Sequence, residues 1–245
     1  MSQAAETSPP DELLFCFEDA DVRPWQTREG RGLSFELLNQ VAAELKLRFR
    51  YQSAPWKRCF ADLQQNHYAG IISVSFKPER LEAGAYPGGI KPDPGKALYV
   101  EKYIVVRPKG SHTSWNGKAF QSLQGSIGVQ LGYSVADDLK RYGVPIDDGA
   151  LTSVDVLNKL LANRVAAVVM LQGEFGALMA EGSNRRNRLE MLPTPFAEKP
   201  YYLMLSHQMI RSQPELSERI WQTIARLKVS SAYQEKERRA LNTDH

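Results

Sequence analysis

Between residues 13 and 75 the chain alternates short apolar runs with helical periodicity: strand, helix, strand, helix, strand. Leu13 to Phe17 is an apolar run that stops at Glu18 and Asp19, as a buried strand entering a loop does. Ser34 stands at an N-cap position ahead of Phe35, Leu38, Val41 or Ala42, and Leu45, which recur at helical spacing. Residues 47–52 alternate as a second strand. Pro55 opens a second helix with Trp56, Cys59 or Phe60, and Leu63 on one face. Tyr68 to Ser75 is a third strand, in which Ser73 and Ser75 alternate with Val74 and so share a face. This order predicts parallel strands joined by crossover helices.

Residues 84–98, rich in glycine and proline, interrupt the pattern, and an extended run follows from Leu98 to Arg107. A second α/β series then begins: a strand at Ile127–Gln130, a helix over 135–142, a helix capped by Ser153, and a buried strand at Val165–Leu171. A further extended run covers residues 199–206. Pro214 starts a helix with Leu216, Ile220 and Ile224 on its apolar side, and a charged helix covers 232–241. Two extended runs between two α/β series predict that the chain crosses between two lobes twice. The C-terminal helices, having no strands of their own, are expected to return to the first lobe. Lobe one is then 13–102 with 204–245, lobe two is 103–203, and residues 1–12 form a disordered polar tail. The hinge falls near 100–107 and 199–206, and the cleft between lobes is the expected ligand site.

Composition narrows the class. With 31 basic against 28 acidic residues spread along the length, no basic face for nucleic acid is expected. No segment reaches the roughly 20 apolar residues of a membrane span, and the opening segment has no basic-then-apolar leader. The four histidines and two cysteines lack metal-ligand spacing, so neither metal nor cofactor is expected. Cys16 and Cys59 read as buried thiols, with a disulfide between them left open. Residues 88–96, GGIKPDPGK, lack the spacing of a phosphate-binding loop.

From Trp56 to Pro87 the sequence runs WKRCFADLQQNHYAGIISVSFKPERLEAGAYP: a helix, a short turn, a strand of small residues, then a serine-rich turn ending in Arg80. With the Pro24-Trp25 loop, GVQLGYSV and LLANRVAAVV in the same order, the chain resembles the extracytoplasmic solute-binding proteins of the polar amino-acid ABC-transporter type, family 3. The resemblance implies an α/β fold, two-lobed and periplasmic-binding-protein-like (type II), in a monomer. It implies binding of an amino acid or related organic acid, delivery to a membrane permease, and a periplasmic location. Carried over by position, Arg80 grips the ligand carboxylate, Ser73 and Ser75 hydrogen-bond the ligand, Trp56 stacks on it, and Asp19 meets its side chain. Ser134 helps hold the carboxylate from a helix N-terminus. These roles suit the chemistry, since a guanidinium fork matches the two oxygens of a carboxylate. One departure stands out. Where amino-acid binders of the family place an aspartate for the α-ammonium, this chain has Leu171 or Gln172, with Glu174 nearby, so a carboxylate ligand without an amine is an alternative.

Other readings remain beside these. Arg80 as a surface partner of Glu79 or Glu82, Trp56 as core, and Ser134 as a plain N-cap are the bland alternatives. No catalytic motif is visible, so an enzyme is not expected, although a dehydratase or lyase on the same scaffold would need only an acid or base such as Glu18, Asp19 or Glu174. A sensory module would look the same in sequence.

Overall fold

A computed structural model describes residues 12–180 and 183–243. The chain opens with β1 (Glu12–Glu18), α1 (Leu33–Leu45), β2 (Arg48–Ala54), α2 (Trp56–Gln64) and β3 (Gly70–Ser75), then a 3-10 turn at Pro78–Glu82 and a short β4 (Gly84–Ala85). β5 (Tyr99–Pro108) leads to a hairpin of β6 (Ser114–Trp115) and β7 (Phe120–Gln121). Next come β8 (Ile127–Gln130), α3 (Val135–Arg141), β9 (Ile146–Ala150), α4 (Ser153–Leu161), β10 (Ala167–Leu171), α5 (Gln172–Ala180), α6 (Ser183–Arg188) and β11 (Leu189–Met191). β12 (Ala197–Ser206), α7 (His207–Ser212), α8 (Pro214–Lys228) and α9 (Ser231–Thr243) close the chain. The polar tail expected over residues 1–12 lies outside the described residues as far as residue 11, and Glu12 already belongs to β1.

Two compact units result. Among the described residues, the first takes those through Ala20, Pro24–Tyr99 and those from Pro200 on; the second takes Asp21–Arg23 and those between Val100 and Lys199. In the first unit β2, β1 and β3 lie parallel, and β12 pairs antiparallel with β3. The crossover helices cover this sheet, and α8 packs on α1. Its core gathers Cys16, Cys59, Leu63, Ile71, Val74 and Met204. In the second unit β9, β8 and β10 lie parallel, and β5 pairs antiparallel with β10. Here Val106, Val156, Leu157, Leu160 and Val168 form the core.

Two helix starts differ from expectation. Ser34 does not cap α1; it lies inside the helix, whose first N–H groups, those of Leu33 and Ser34, donate to the carbonyls of Pro24 and Trp25 at 3.0 and 2.9 Å. The preceding loop thus does the work of a capping side chain. Gly32 allows this approach: its φ is 113°, and a Cβ there would sit 2.7 Å from the Trp25 carbonyl oxygen. In α4 the cap is Thr152 rather than Ser153, its Oγ1 accepting from the Asp155 N–H at 3.1 Å. Asp147 and Asp148 belong to β9, which a charged sequence conceals.

Candidate functional site

The serine-rich turn builds a compact cluster within the first unit. Arg80 lies in the 3-10 turn directly after β3, and the turn folds its side chain back on the strand end: Nη1 donates to the Ser75 carbonyl at 2.6 Å and to Ser75 Oγ at 3.0 Å. The same carbonyl accepts the Tyr86 hydroxyl at 2.7 Å. Arg80 is only 8% exposed. It is therefore a buried cation, not the surface partner of Glu79 or Glu82. Trp56 and Phe60, one turn apart on α2, meet edge to face at 4.9 Å, and the Arg80 guanidinium lies 5.3 and 5.4 Å from their ring centres. The electron-rich ring faces offset part of the cost of burying the charge. Burial also pushes the Tyr86 phenol up to about 12, against the pull of Arg80, so Tyr86 stays a proton donor at neutral pH.

Ser73 does not follow the simple alternation expected of it. Val74 pairs with Tyr202 and Ile71 with Met204, so two residues of β3, Ile72 and Ser73, stand opposite Leu203 alone. That is a β-bulge, and Ser73 within it has φ 63°, a left-handed backbone rare for a residue other than glycine. Its hydroxyl is buried and has no hydrogen-bond partner among the described residues. A strained backbone that presents an unsatisfied hydroxyl costs stability twice, a combination that collects at binding sites. Asp19, at the end of β1, has an exposed side chain, and its N–H donates to the Ala54 carbonyl at 3.1 Å. The structure thus gathers Arg80, Ser75 and Trp56 into one cluster, sets Ser73 two residues from Ser75 on a bulged strand, and leaves Asp19 on the surface. Phe60 and Tyr86 complete the cluster. Phe60 was legible from its place four residues after Trp56.

Ser134 belongs to the second unit. It is buried just before α3, but its backbone is already helical and its hydroxyl makes no capping bond. Instead Oγ accepts from Lys199 Nζ at 3.1 Å, and Lys199 pairs with Asp138 while lying 5.9 Å from the Tyr103 ring centre. Asp137 and Asp138 occupy the first turn of this short helix, where they oppose the positive end that an anion would seek. The plain N-cap reading of Ser134 therefore fails, because Lys199 takes the hydroxyl. At the place where an ammonium partner was sought, Leu171 is buried at the end of β10 and Glu174 Oε1 accepts the Tyr133 hydroxyl at 2.7 Å. Gly173 packs on the backbone of Arg23, and any side chain there would collide with the Arg23 carbonyl. Among the described residues no group of His, Cys, Asp and Glu is placed to hold a metal ion, and no helix is long and apolar enough to cross a membrane.

A fold of two such units, with a buried arginine after the third strand, can be compared with known proteins. The model of the bacterial extracellular solute-binding proteins, family 3, matches residues 17–243. The chain belongs to that family. It is a family of solute-binding proteins, and its fold is the two-lobed α/β fold of the periplasmic binding proteins. No curated protein matches the chain. Among solved structures, an ancestral arginine-binding protein bound to glutamine is similar at TM-score 0.73 and 18% identity, over 95% of this chain and 98% of that one. A putative binding component of an ABC transporter from Wolinella succinogenes, complexed with lysine, gives 0.72 and 15%, over 94% and 95%. A histidine kinase sensor domain with similarity to periplasmic binding proteins gives 0.73 and 15%, over 94% and 96%.

Proposed function

We propose that this protein binds a small polar solute through its carboxylate and delivers it to an ABC-type permease in the periplasm. The observation that carries the reading is the buried Arg80, held by Ser75 and framed by the rings of Trp56 and Phe60. A guanidinium held in this way is oriented before the ligand arrives, so little rotamer entropy is lost on binding. Ser73 supplies a hydroxyl whose burial is compensated only when a ligand accepts from it or donates to it. Trp56 gives an apolar wall. Asp19, being exposed, is the member of the proposed set nearest to solvent, and Ser134 would act together with Lys199. Glutamine and lysine, the ligands of two of the similar structures, both carry a carboxylate. The Cys16–Cys59 disulfide supports a place outside the reducing cytoplasm.

The test is calorimetric titration with a panel of L-amino acids and of carboxylic acids lacking an amine. A member of the panel should bind, and Arg80→Ala should weaken it by about 30- to 1000-fold, the cost of removing a charge-assisted bidentate partner. Unchanged affinity in Arg80→Ala would remove this cluster from the site. The fold itself does not separate transport from sensing, since a histidine kinase sensor domain shares it. Co-purification with a permease distinguishes the two.

A further inference from the structure

We infer that the Cys16–Cys59 disulfide is a positioning element of the binding site, setting the rings of Trp56 and Phe60 over Arg80. The inference rests on the reading of Arg80 as the anchor of the ligand.

α2 is weakly held by its own sequence. It is nine residues long, has no side-chain N-cap, and carries no basic residue in its last turn. So short a helix is marginal without tertiary support. It buries only Cys59, Asp62 and Leu63. Asp62 is engaged by Arg58 of the same helix, Nε to Oδ2 at 2.7 Å, and by His67 just after it, Nδ1 to Oδ1 at 3.8 Å, and neither contact reaches the sheet. The fully buried anchors to the sheet are Leu63 and the covalent bond from Cys59 to Cys16 on β1, whose Cα atoms are 5.7 Å apart, with Trp56 and Phe60 packed half-buried beside them.

Cys59 lies three residues after Trp56 and one before Phe60, so the tether sits between the two rings along the helix. Cys16 lies on β1, the strand between β2 and β3, and β3 ends in Ser75, which holds Arg80. The disulfide thus joins the element carrying the rings to the sheet carrying the cation. Both sulfurs are in the same core cluster against which Trp56 and Phe60 pack half-buried. Because cation–π attraction falls off steeply beyond about 6 Å, a small swing of α2 is enough to lose both contacts.

The test reads Trp56 directly and needs no ligand. The full chain is labelled with 5-fluorotryptophan, and the four tryptophan lines are assigned by fluorine NMR with single Trp→Phe variants. Arg80→Ala marks where the Trp56 line moves when the cation is absent. In Cys16→Ala/Cys59→Ala, and in wild type reduced with dithiothreitol until thiol titration finds two free thiols, the Trp56 line is expected to shift toward the Arg80→Ala position. The lines of Trp25, Trp115 and Trp221 should stay in place. A Trp56 line unmoved after confirmed cleavage overturns the inference. So does a common shift of all four lines, which would make the disulfide a general support of the fold. A protein whose Trp56 line moves as expected but which binds no carboxylate in the calorimetric panel would lose the binding site and keep only the disulfide's hold on the rings over Arg80.

Discussion

Ser73 should be a residue that the fold would be more stable without. The left-handed backbone at φ 63° costs a side chain with a Cβ on the order of 1 kcal/mol, and a buried hydroxyl without a partner adds about 1 kcal/mol or more. Ser73→Ala keeps the strain and removes the hydroxyl, so it should stabilise the protein by about 1 kcal/mol. Ser73→Gly also relieves the strain but gives back roughly 0.5–1 kcal/mol through the greater freedom of glycine in the unfolded chain, for a net gain of about 1 kcal/mol or a little more. Ser73→Val, branched at Cβ in a left-handed conformation, should lose about 1–3 kcal/mol. Urea unfolding followed by far-UV circular dichroism reads the series, and a gain of 1 kcal/mol corresponds to about 2–4 °C in Tm for a chain of this size. In the calorimetric assay Ala and Gly should each bind about 3- to 10-fold more weakly, one hydrogen bond being lost. Stability would then rise as affinity falls, as expected when a residue is kept for binding and not for folding. If Ser73→Ala destabilises the chain, the hydroxyl has a structural partner and the argument is refuted. If Ser73→Val is neutral, the backbone is not left-handed there.

Replacing both cysteines with alanine should lower stability by up to about 4 kcal/mol, the loop-entropy value for a separation of 43 residues; equilibrium unfolding of oxidised and variant protein measures it. Burial of the Tyr86 phenol predicts a loss at alkaline pH. The unfolded phenol ionises near 10 and the folded one at about 12, so stability is complete below pH 10 and falls by about 3 kcal/mol as pH rises through that window. Tyr86→Phe should flatten this part of the profile, and pH-dependent urea midpoints check it. Gly173→Ala should destabilise the second unit by about 1–3 kcal/mol or displace the Asp21–Arg23 segment, read from thermal unfolding and from amide exchange at residues 21–23. Thr152→Ala should cost about 1 kcal/mol through the lost cap of α4, measured by urea unfolding.

Periodicity revealed those elements whose pattern reports their burial. Ile127–Gln130 was legible to the residue, and the parallel order of β1, β2 and β3 followed from crossover helices that leave no other short route. α5 was missed because its apolar residues surround the helix and do not form a stripe, and β9 because three of its five residues are aspartate or glycine. At the candidate site, the family resemblance pointed to Arg80, Ser73, Ser75 and Trp56. It did not reveal that Ser73 lies in a bulge, since the period of two says nothing of how many residues the partner strand contributes. Nor did it reveal that the Ser134 hydroxyl is taken by Lys199, 65 residues away.

By itself, then, the sequence determined what is local: where turns fall, which faces are apolar, and that a serine-rich turn ends in an arginine. Hydrophobic spacing and turn chemistry act over a few residues, and a few residues suffice to read them. The tertiary structure alone decided what depends on distant neighbours: the bond between Cys16 and Cys59, the rings that enclose Arg80, and the register shift that strains Ser73. Each arises where two separately specified segments meet, and the free energy that selects it lies in the contact between them.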